Sequence, residues 1–401
     1  MKVLYFDYWL KGVKHFLCID NELKKYNFDT ELLHLSSWGD EVKDKEVVID
    51  GLLCRDISYY RNKKILDIIC EIRPDVVIGL NLYYLTDRTL VLSCKKTDVP
   101  YVYLSHGRLT PIENLEDGRQ LSNRSYHKRI WSRLKKNFVY VFPQYIYADL
   151  KLNYHCFNSL SQIMRVLYNP SKYITYSHYG NDLEAHKTMV YSSKDKEFLV
   201  KVRKFPESLI QVVGNPEMDN FSDVNYEVEQ NKVMLYLDDG SVQAGILTKE
   251  QWYALLDDLL ELAEQKGYEL LVKLHPKTDM SQHQNYFEKC KDSLKIFQKE
   301  SINELIKRAS LCVSFYSSTI LFSLMYRKRV LSPRWRDYKN IPRLYPDEVI
   351  SYVDNKEDFW MMPNKNPQVI EEFLASEVGF TGEKAVPKIV ENILKIANEV
   401  R

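Results

Sequence analysis

Val233-Met234-Leu235-Tyr236-Leu237 runs straight into Asp238-Asp239-Gly240-Ser241, and the residues up to Thr319 repeat this plan twice. Tyr268 to Leu274 is a second apolar run, halting on His275-Pro276-Lys277. Leu311 to Tyr316 is a third, halting on Ser317-Ser318-Thr319. The intervening segments carry helical spacing. Trp252, Leu255, Leu256, Leu259 and Leu262 form one stripe, opened by the capping signature Thr248-Lys249-Glu250-Gln251 and closed at Gly267. Ser301-Ile302-Asn303-Glu304 reads as a second capping box before the third run. Short apolar runs alternating with helices predict a parallel α/β sheet. In such a sheet ligands bind in the crevice outside the strands' carboxyl ends. Two carboxylates, a histidine flanked by Lys273 and Lys277, and a hydroxyl cluster are therefore expected to line one cleft.

The first half has the same alternation. Residues 1–8 predict a strand, Val13 to Tyr26 a helix, and Glu31 to Leu35 a second strand. Ile65, Leu66, Ile68, Ile69 and Ile72 recur at near-helical spacing, and Pro74 ends that helix because its ring cannot join the ladder. Asp75 to Gly79 reads as a buried parallel strand and Leu85 to Lys96 as a helix. Val99 to Leu104 is a strand that stops on Ser105-His106-Gly107-Arg108. Ser171 to Tyr191 reads as a strand, a loop and then a helix. Leu209 to Val213 is a strand ending in Gly214-Asn215-Pro216-Glu217-Met218-Asp219. Asn220 to Lys232 is polar and acidic, which suits an interdomain linker. Beyond Thr319 a helix to Tyr326, a short strand near Val330 and a final helix from Val386 to Val400 complete the plan. The expected division is two Rossmann-like doubly wound domains, 1–225 and 226–385, with a last helix over 386–401.

The chain has 401 residues, 56 basic and 55 acidic, for a net charge of +1. That balance argues against bulk nucleic-acid binding, so no nucleic-acid partner is expected. Seven cysteines lack any C-x-x-C spacing and mostly sit in apolar runs, which predicts buried free thiols and no metal centre. No signal-peptide pattern opens the chain and no apolar run is long enough to span a bilayer, so a cytoplasmic protein is expected. Residues 119–147 stand apart. Arg124, His127, Lys128, Arg129, Arg133, Lys135 and Lys136 interleave with Tyr126, Ile130, Trp131, Leu134 and Phe138. Such a basic amphipathic segment is either a surface helix packed on the domain or an interfacial one facing a charged glycan or anionic lipid at the inner face of the cytoplasmic membrane.

Each strand end suggests a chemistry. Adjacent Asp238 and Asp239 are costly unless solvated, paired or facing a ligand, and Gly240 permits a tight turn before Ser241. A carboxylate there could act as a general base, as a nucleophile on an anomeric carbon, or hold a metal with water. Pro276 fixes the backbone behind His275, which could donate a hydrogen bond or proton to a leaving phosphate. Ser317, Ser318 and Thr319, where a strand enters a helix, offer hydroxyl and backbone donors to a phosphate, although serines there are also routine caps. His106 with Arg108 ends a first-domain strand, and Arg108 or Arg119 could pair with a substrate carboxylate. Together these groups read as a nucleotide-sugar site.

The order Asp238-Asp239-Gly240, His275-Pro276, Ser317-Ser318 resembles the motifs of bacterial glycosyltransferases that use CMP-activated acidic sugars. These are the sialyltransferases and the 3-deoxy-manno-octulosonic acid (Kdo) transferases. Gly214 to Asp219 is similar to the segment closing the first domain in GT-B transferases and epimerases, and His106-Gly107 to the H-G of glycerophosphate-polymer transferases. The pattern most resembles the retaining β-Kdo transferases of O-antigen, lipopolysaccharide and capsule assembly, although in some sialyltransferase families the acidic motif lies in the first domain. The resemblance implies a GT-B fold whose last helix returns to the first domain. It implies a CMP-Kdo donor with no further cofactor, and a polysaccharide or lipid-linked glycan acceptor. Catalysis would fall to Asp238 or Asp239 and the phosphate to His275, Ser317 and Ser318. An inverting sialyltransferase or glycerophosphotransferase on the same frame is the alternative, and a non-enzymatic glycan- or lipid-binding module a third. The chain closes on a helix at Arg401, as one module of a larger polypeptide would.

Overall fold

The computed structural model describes residues 1–39, 42–61, 63–82, 84–106, 135–168, 183–221, 232–276, 278–290 and 293–399, the side chain of Asp337 aside. The chain divides into two domains, one of Met1–Ser222 with Ala375–Arg401, the other of Asp223–Leu374. The last helix thus belongs with the first domain, and the chain leaves the second domain earlier than the expected residue 385. The expected boundary at 225 and most of the proposed linker lie outside the described residues, as do Gly107, Arg108, Arg119, Lys277 and the greater part of 119–147.

In the first domain the strands are β1 (Lys2–Asp7), β2 (Asp29–His34), β3 (Glu46–Ile49), β4 (Leu52–Asp56), β5 (Val76–Gly79), β6 (Tyr101–Leu104), β7 (Lys187–Val190) and β8 (Ile210–Val212). They form one sheet in the order β3-β4-β2-β1-β5-β6-β7-β8, parallel except where β3 pairs antiparallel with β4. Side chains alternate across a strand. Leu4, Phe6, Val77 and Tyr103 accordingly pack on one face, where α2 (Ile65–Ile72), α3 (Leu85–Lys96) and α4 (Phe142–Asn153) contribute Ile65, Leu90 and Tyr145. Val3, Tyr5, Ile78 and Val102 pack on the other, against Phe16 and Ile19 of α1 (Val13–Lys24). Also among the described helices of this domain are α5 (Phe157–Tyr168) and α6 (Ser193–Lys201).

The second domain has β9 (Val233–Leu237), β10 (Glu269–Lys273), β11 (Lys295–Phe297), β12 (Leu311–Val313), β13 (Arg329–Pro333) and β14 (Ser351–Val353). Their order is β11-β10-β9-β12-β13-β14, all parallel. The helices are α7 (Lys249–Lys266), α8 (Gln284–Cys290), α9 (Ile302–Arg308) and α10 (Thr319–Met325). Helix α11 (Pro367–Val378) runs across the domain boundary, and α12 (Ala385–Glu399) ends the chain. Ile389, Val390, Ile393 and Ile396 of α12 join the core that holds Val3 and Tyr5. In both sheets the first strand has its successor on one side and a later strand on the other. β1 and β9 therefore each stand at a switch point, where a crevice opens at the carboxyl ends.

Local chemistry explains several boundaries. Thr248 Oγ1 accepts from Gln251 N at 3.2 Å while Gln251 Oε1 accepts from Thr248 N at 2.9 Å, the reciprocal box expected at the start of α7. Ser301 precedes α9 as expected, but its side chain makes no capping bond and Glu304 pairs with Lys307 at 2.8 Å. The second box is therefore corrected to a plain N-cap. The expected helix before Tyr191 is replaced by strand β7, with the helix α6 starting after it, capped by Ser192 and Asp195. The cysteines are free, but only Cys54, Cys94 and Cys312 are buried; Cys70 is exposed and the others half-buried.

Candidate functional site

Asp238, directly after β9, is buried and both its oxygens are occupied. Oδ2 accepts from His275 N and Thr278 Oγ1, each at 3.1 Å, and Oδ1 accepts from Gly240 N at 3.2 Å. It is a brace that ties the end of β9 to the turn after β10. Gly240 has φ +76°, and a Cβ there would lie 3.1 Å from the His275 ring, so a residue with a side chain meets both strain and a clash. The D-D-G and H-P motifs, far apart in sequence, thus form one packed turn.

Asp239 is differently placed. Its Oδ1 accepts from Ser241 N at 3.1 Å and from the fully buried Ser241 hydroxyl. Among the described residues Oδ2, shut off from solvent, makes no hydrogen bond of ordinary geometry, although the Tyr316 backbone N–H lies close enough to hold the carboxyl's pKa down. Burial raises its pKa to about 6, partly offset by the Ser241 hydroxyl and reinforced by the charge of Asp238. An acidic group at a switch point, with a pKa raised to about 6 and one oxygen without a hydrogen bond of ordinary geometry, has the attributes of a nucleophile or proton carrier.

The neighbouring strand ends converge on the same edge. Ser314 Oγ donates to the Leu237 carbonyl at 2.9 Å, locking β12 to the end of β9. Ser317 Oγ accepts from Thr319 Oγ1 at 2.8 Å and from Thr319 N at 3.2 Å, so the first hydroxyl of the cluster closes its own turn. Ser318 is exposed and heads α10 without a side-chain cap. Lys273 points along the sheet edge, its Nζ donating to the Gln298 carbonyl. Gln298 in turn donates to the carbonyls of Thr278 at 2.7 Å and His275 at 3.4 Å. Thr278, Gln298 and Ser314 support the site, yet nothing in the sequence marks them out, because each acts through a backbone carbonyl or a remote carboxylate. The hollow lined by Met280, Gln284, Phe287 and Ile296 includes none of these residues.

The first domain has a cluster of its own at its switch point. His106, after β6, bonds through Nδ1 to the Leu80 carbonyl at 2.9 Å. A carbonyl only accepts, so Nδ1 carries the proton and Nε2 is the basic nitrogen. Burial lowers the pKa of His106, and the neighbouring His15 lowers it further. The His15 ring meets His106 edge-on at 5.4 Å, and His15 Nδ1 donates to Glu217 Oε1 at 2.9 Å. Asp7, buried at the end of β1, has its pKa raised by burial. Among the described residues no group of three or more His, Cys, Asp or Glu side chains could hold a metal ion, and no helix is long and apolar enough to cross a membrane.

Two doubly wound domains with carboxyl-edge crevices, and a final helix shared with the first, define the GT-B fold, the class to which this chain's architecture belongs. Solved structures agree. UDP-GlcNAc 2-epimerase from Methanocaldococcus jannaschii is similar over 98% of this chain and 100% of its own, at 15% identity and a TM-score of 0.51. A putative UDP-N-acetylglucosamine 2-epimerase from Listeria monocytogenes is similar over 99% and 97%, at 11% identity and 0.55. UDP-GlcNAc 2-epimerase from Neisseria meningitidis, solved bound to UDP-GlcNAc, is similar over 98% and 100%, at 12% identity and 0.54. At such identities the likeness is one of fold. No protein-family profile and no curated protein matches the sequence.

Proposed function

We propose that this chain is a glycosyltransferase that takes its sugar from a nucleotide donor held at the carboxyl edge of β9, β10 and β12. The observation that carries the reading is Asp239, a carboxyl at a strand end whose pKa burial raises to about 6 and whose Oδ2 makes no hydrogen bond of ordinary geometry among the described residues. The motif resemblance favours CMP-Kdo as donor and a surface-polysaccharide glycan as acceptor, with the β configuration retained. Asp239 carboxylate would attack the anomeric carbon as the bond to the CMP oxygen breaks, and CMP would leave. The acceptor hydroxyl would then displace Asp239, its proton passing to water or the departing CMP phosphate as the new glycosidic bond forms and the Asp239 carboxylate is released. Asp238 would hold the turn, and His275 with Ser317 and Ser318 would bind the departing phosphate.

A lipid-linked acceptor agrees with the surface of the first domain. Between residues 119 and 181 the sequence has ten lysines and arginines against one acidic residue, Asp149. Asp149 is itself buried, accepting from Ser159 N at 2.8 Å and Asn153 Nδ2 at 2.7 Å. Phe157, Leu160, Met164 and Tyr168 of α5 are exposed along one stripe, at i, i+3, i+7 and i+11. Six of those ten cations lie outside the described residues; exposed Lys151 and Arg165, with the aromatic and aliphatic groups of α5, suit an anionic lipid surface.

Purified protein incubated with CMP-Kdo, UDP-GlcNAc and an acceptor glycan tests the reading. Transfer from CMP-Kdo with retention, and a sugar adduct on the Asp239 peptide under trapping, are expected. Inverted product would make Asp239 a base rather than a nucleophile. Conversion of UDP-GlcNAc alone, with CMP-Kdo inert, would replace the proposal with epimerase chemistry.

A further inference from the structure

The second domain holds a buried cation that the chemistry above leaves unused. Arg334 directly follows β13 at the carboxyl edge of the sheet and is 5% exposed. Its Nη2 donates to the Lys339 carbonyl at 3.2 Å. Nε and Nη1 are out of contact with solvent and have no hydrogen-bond partner. The guanidinium lies 5.4 Å from the centre of the Tyr352 ring, and Arg343 lies 4.6 Å from the same centre. Arg343 has Asp347 and Asp354 at 3.2 and 3.4 Å, whereas Arg334 has no carboxylate in ion-pair range among the described residues. Burial, and then the charge of Arg343, push the Arg334 pKa down.

A buried guanidinium with two idle nitrogens beside a second cation is unfavourable in isolation, and an anion would relieve both defects. Its position suits that role. β12 lies between β9 and β13, so Arg334 is two strands from Asp239, about 10 Å at ordinary strand spacing. Hydrogen bonds run from the Tyr352 ring beside Arg334 to the hydroxyl cluster that follows β12. Tyr352 Oη donates to the Tyr345 carbonyl at 2.8 Å and accepts from Tyr345 N at 3.2 Å, while Tyr345 Oη donates to the Ser317 carbonyl at 3.0 Å. We infer that Arg334 is the receptor for an oxyanion of the ligand bound at this edge, donating to it from N–H groups that no atom of the described residues uses. The inference rests on the nucleotide-sugar reading of that edge. A nucleotide phosphate and the carboxylate of an acidic sugar share the required chemistry.

Thermal melting and calorimetric titration of wild type, Arg334→Met and Arg334→Lys test it, with CMP, UDP, inorganic pyrophosphate and free Kdo as probes. Ligand-free R334M is expected to melt no lower than wild type, since an apolar chain of similar length replaces an unsatisfied charge. Its affinity for the recognised oxyanion should fall roughly 10- to 100-fold, with R334K in between. Loss confined to CMP, UDP and pyrophosphate assigns the phosphate; loss confined to Kdo assigns the carboxylate. Pyrophosphate bound by wild type and lost in R334M, with neither nucleotide bound, would retain the receptor and remove the nucleotide. Unchanged affinities in R334M, or no oxyanion bound by wild type, overturn the assignment. Should R334M fail to fold, unchanged affinities in R334K do so instead.

Discussion

Two adjacent aspartates answer to different physics, and substitutions should separate them. Asp239 carries a raised pKa, so the folded state holds its proton more tightly than the unfolded chain does. Stability therefore falls as pH rises from about 4 to about 6 and stays lowered above that, by about 3 kcal/mol for a carboxyl moved from 3.8 to about 6. Asp239→Asn removes the charge, so it should melt several degrees higher than wild type at pH 8, match it near pH 4, and abolish transfer. A melting point unmoved at pH 8 would sink this account of Asp239. Asp238→Ala removes the shared acceptor of His275 N, Thr278 Oγ1 and Gly240 N. Leaving those donors unmet should cost about 2–4 kcal/mol, read as a lower denaturant midpoint with an unchanged slope. The sequence showed that this pair of carboxylates was unusual. It could not say which one acts, because Asp238 is occupied by groups 37 and 40 residues away.

Elements with strong periodicity were legible, and those made by distant partners were not. The spacing predicts Leu85–Lys96 at its observed bounds, and the last helix within a residue of them. β3, β4, β11 and β14 are not legible in the sequence, being three to five residues long and lying at or beside the sheet edges, where short strands carry little apolar pattern. Helix α5 is likewise not legible in the sequence. Its stripe of Phe157, Leu160, Met164 and Tyr168 faces outward, while Ile163 and Val166 face the core, so it has apolar residues on two sides. That outward stripe makes its own prediction. Wild type should sediment with vesicles containing phosphatidylglycerol and much less with phosphatidylcholine alone. Because Phe157 is 78% exposed and Met164 65%, Phe157→Glu with Met164→Glu should keep the native circular dichroism and lose vesicle binding. Binding retained by that pair would remove α5 from any membrane contact.

Across the whole chain, Gly214 to Asp219 shows how a motif noticed for its resemblance can have a mechanical role. Gly214 has φ +90°, and a Cβ there would lie 3.1 Å from both the Gly379 carbonyl oxygen and Ala385 Cβ, so the returning chain passes against it. Asn215 Oδ1 accepts from Glu217 N at 3.0 Å, shaping the turn that presents Glu217 to His15. Asp219 then accepts from Ala385 N at 2.6 Å and Val386 N at 2.9 Å, capping α12 from 166 residues upstream. A carboxylate at a helix N-terminus meets both the free N–H groups and the positive end of the dipole. The sequence gives no hint of this partner, since residues preceding Ala385 supply no comparable cap in the hydrogen bonds observed and the pairing exists only once the chain has crossed two domains. Asp219→Ala should therefore lower stability by about 1–3 kcal/mol. Hydrogen exchange should localise the effect: amides of 385–399 should lose protection first, while those of β9 and β10 in the second domain keep theirs. Uniform loss across both domains would mean that Asp219 acts on global stability and not as the latch of the final helix. Protection retained over 385–399 would mean that the apolar face of α12, through Ile389, Ile393 and Ile396, holds the helix without it.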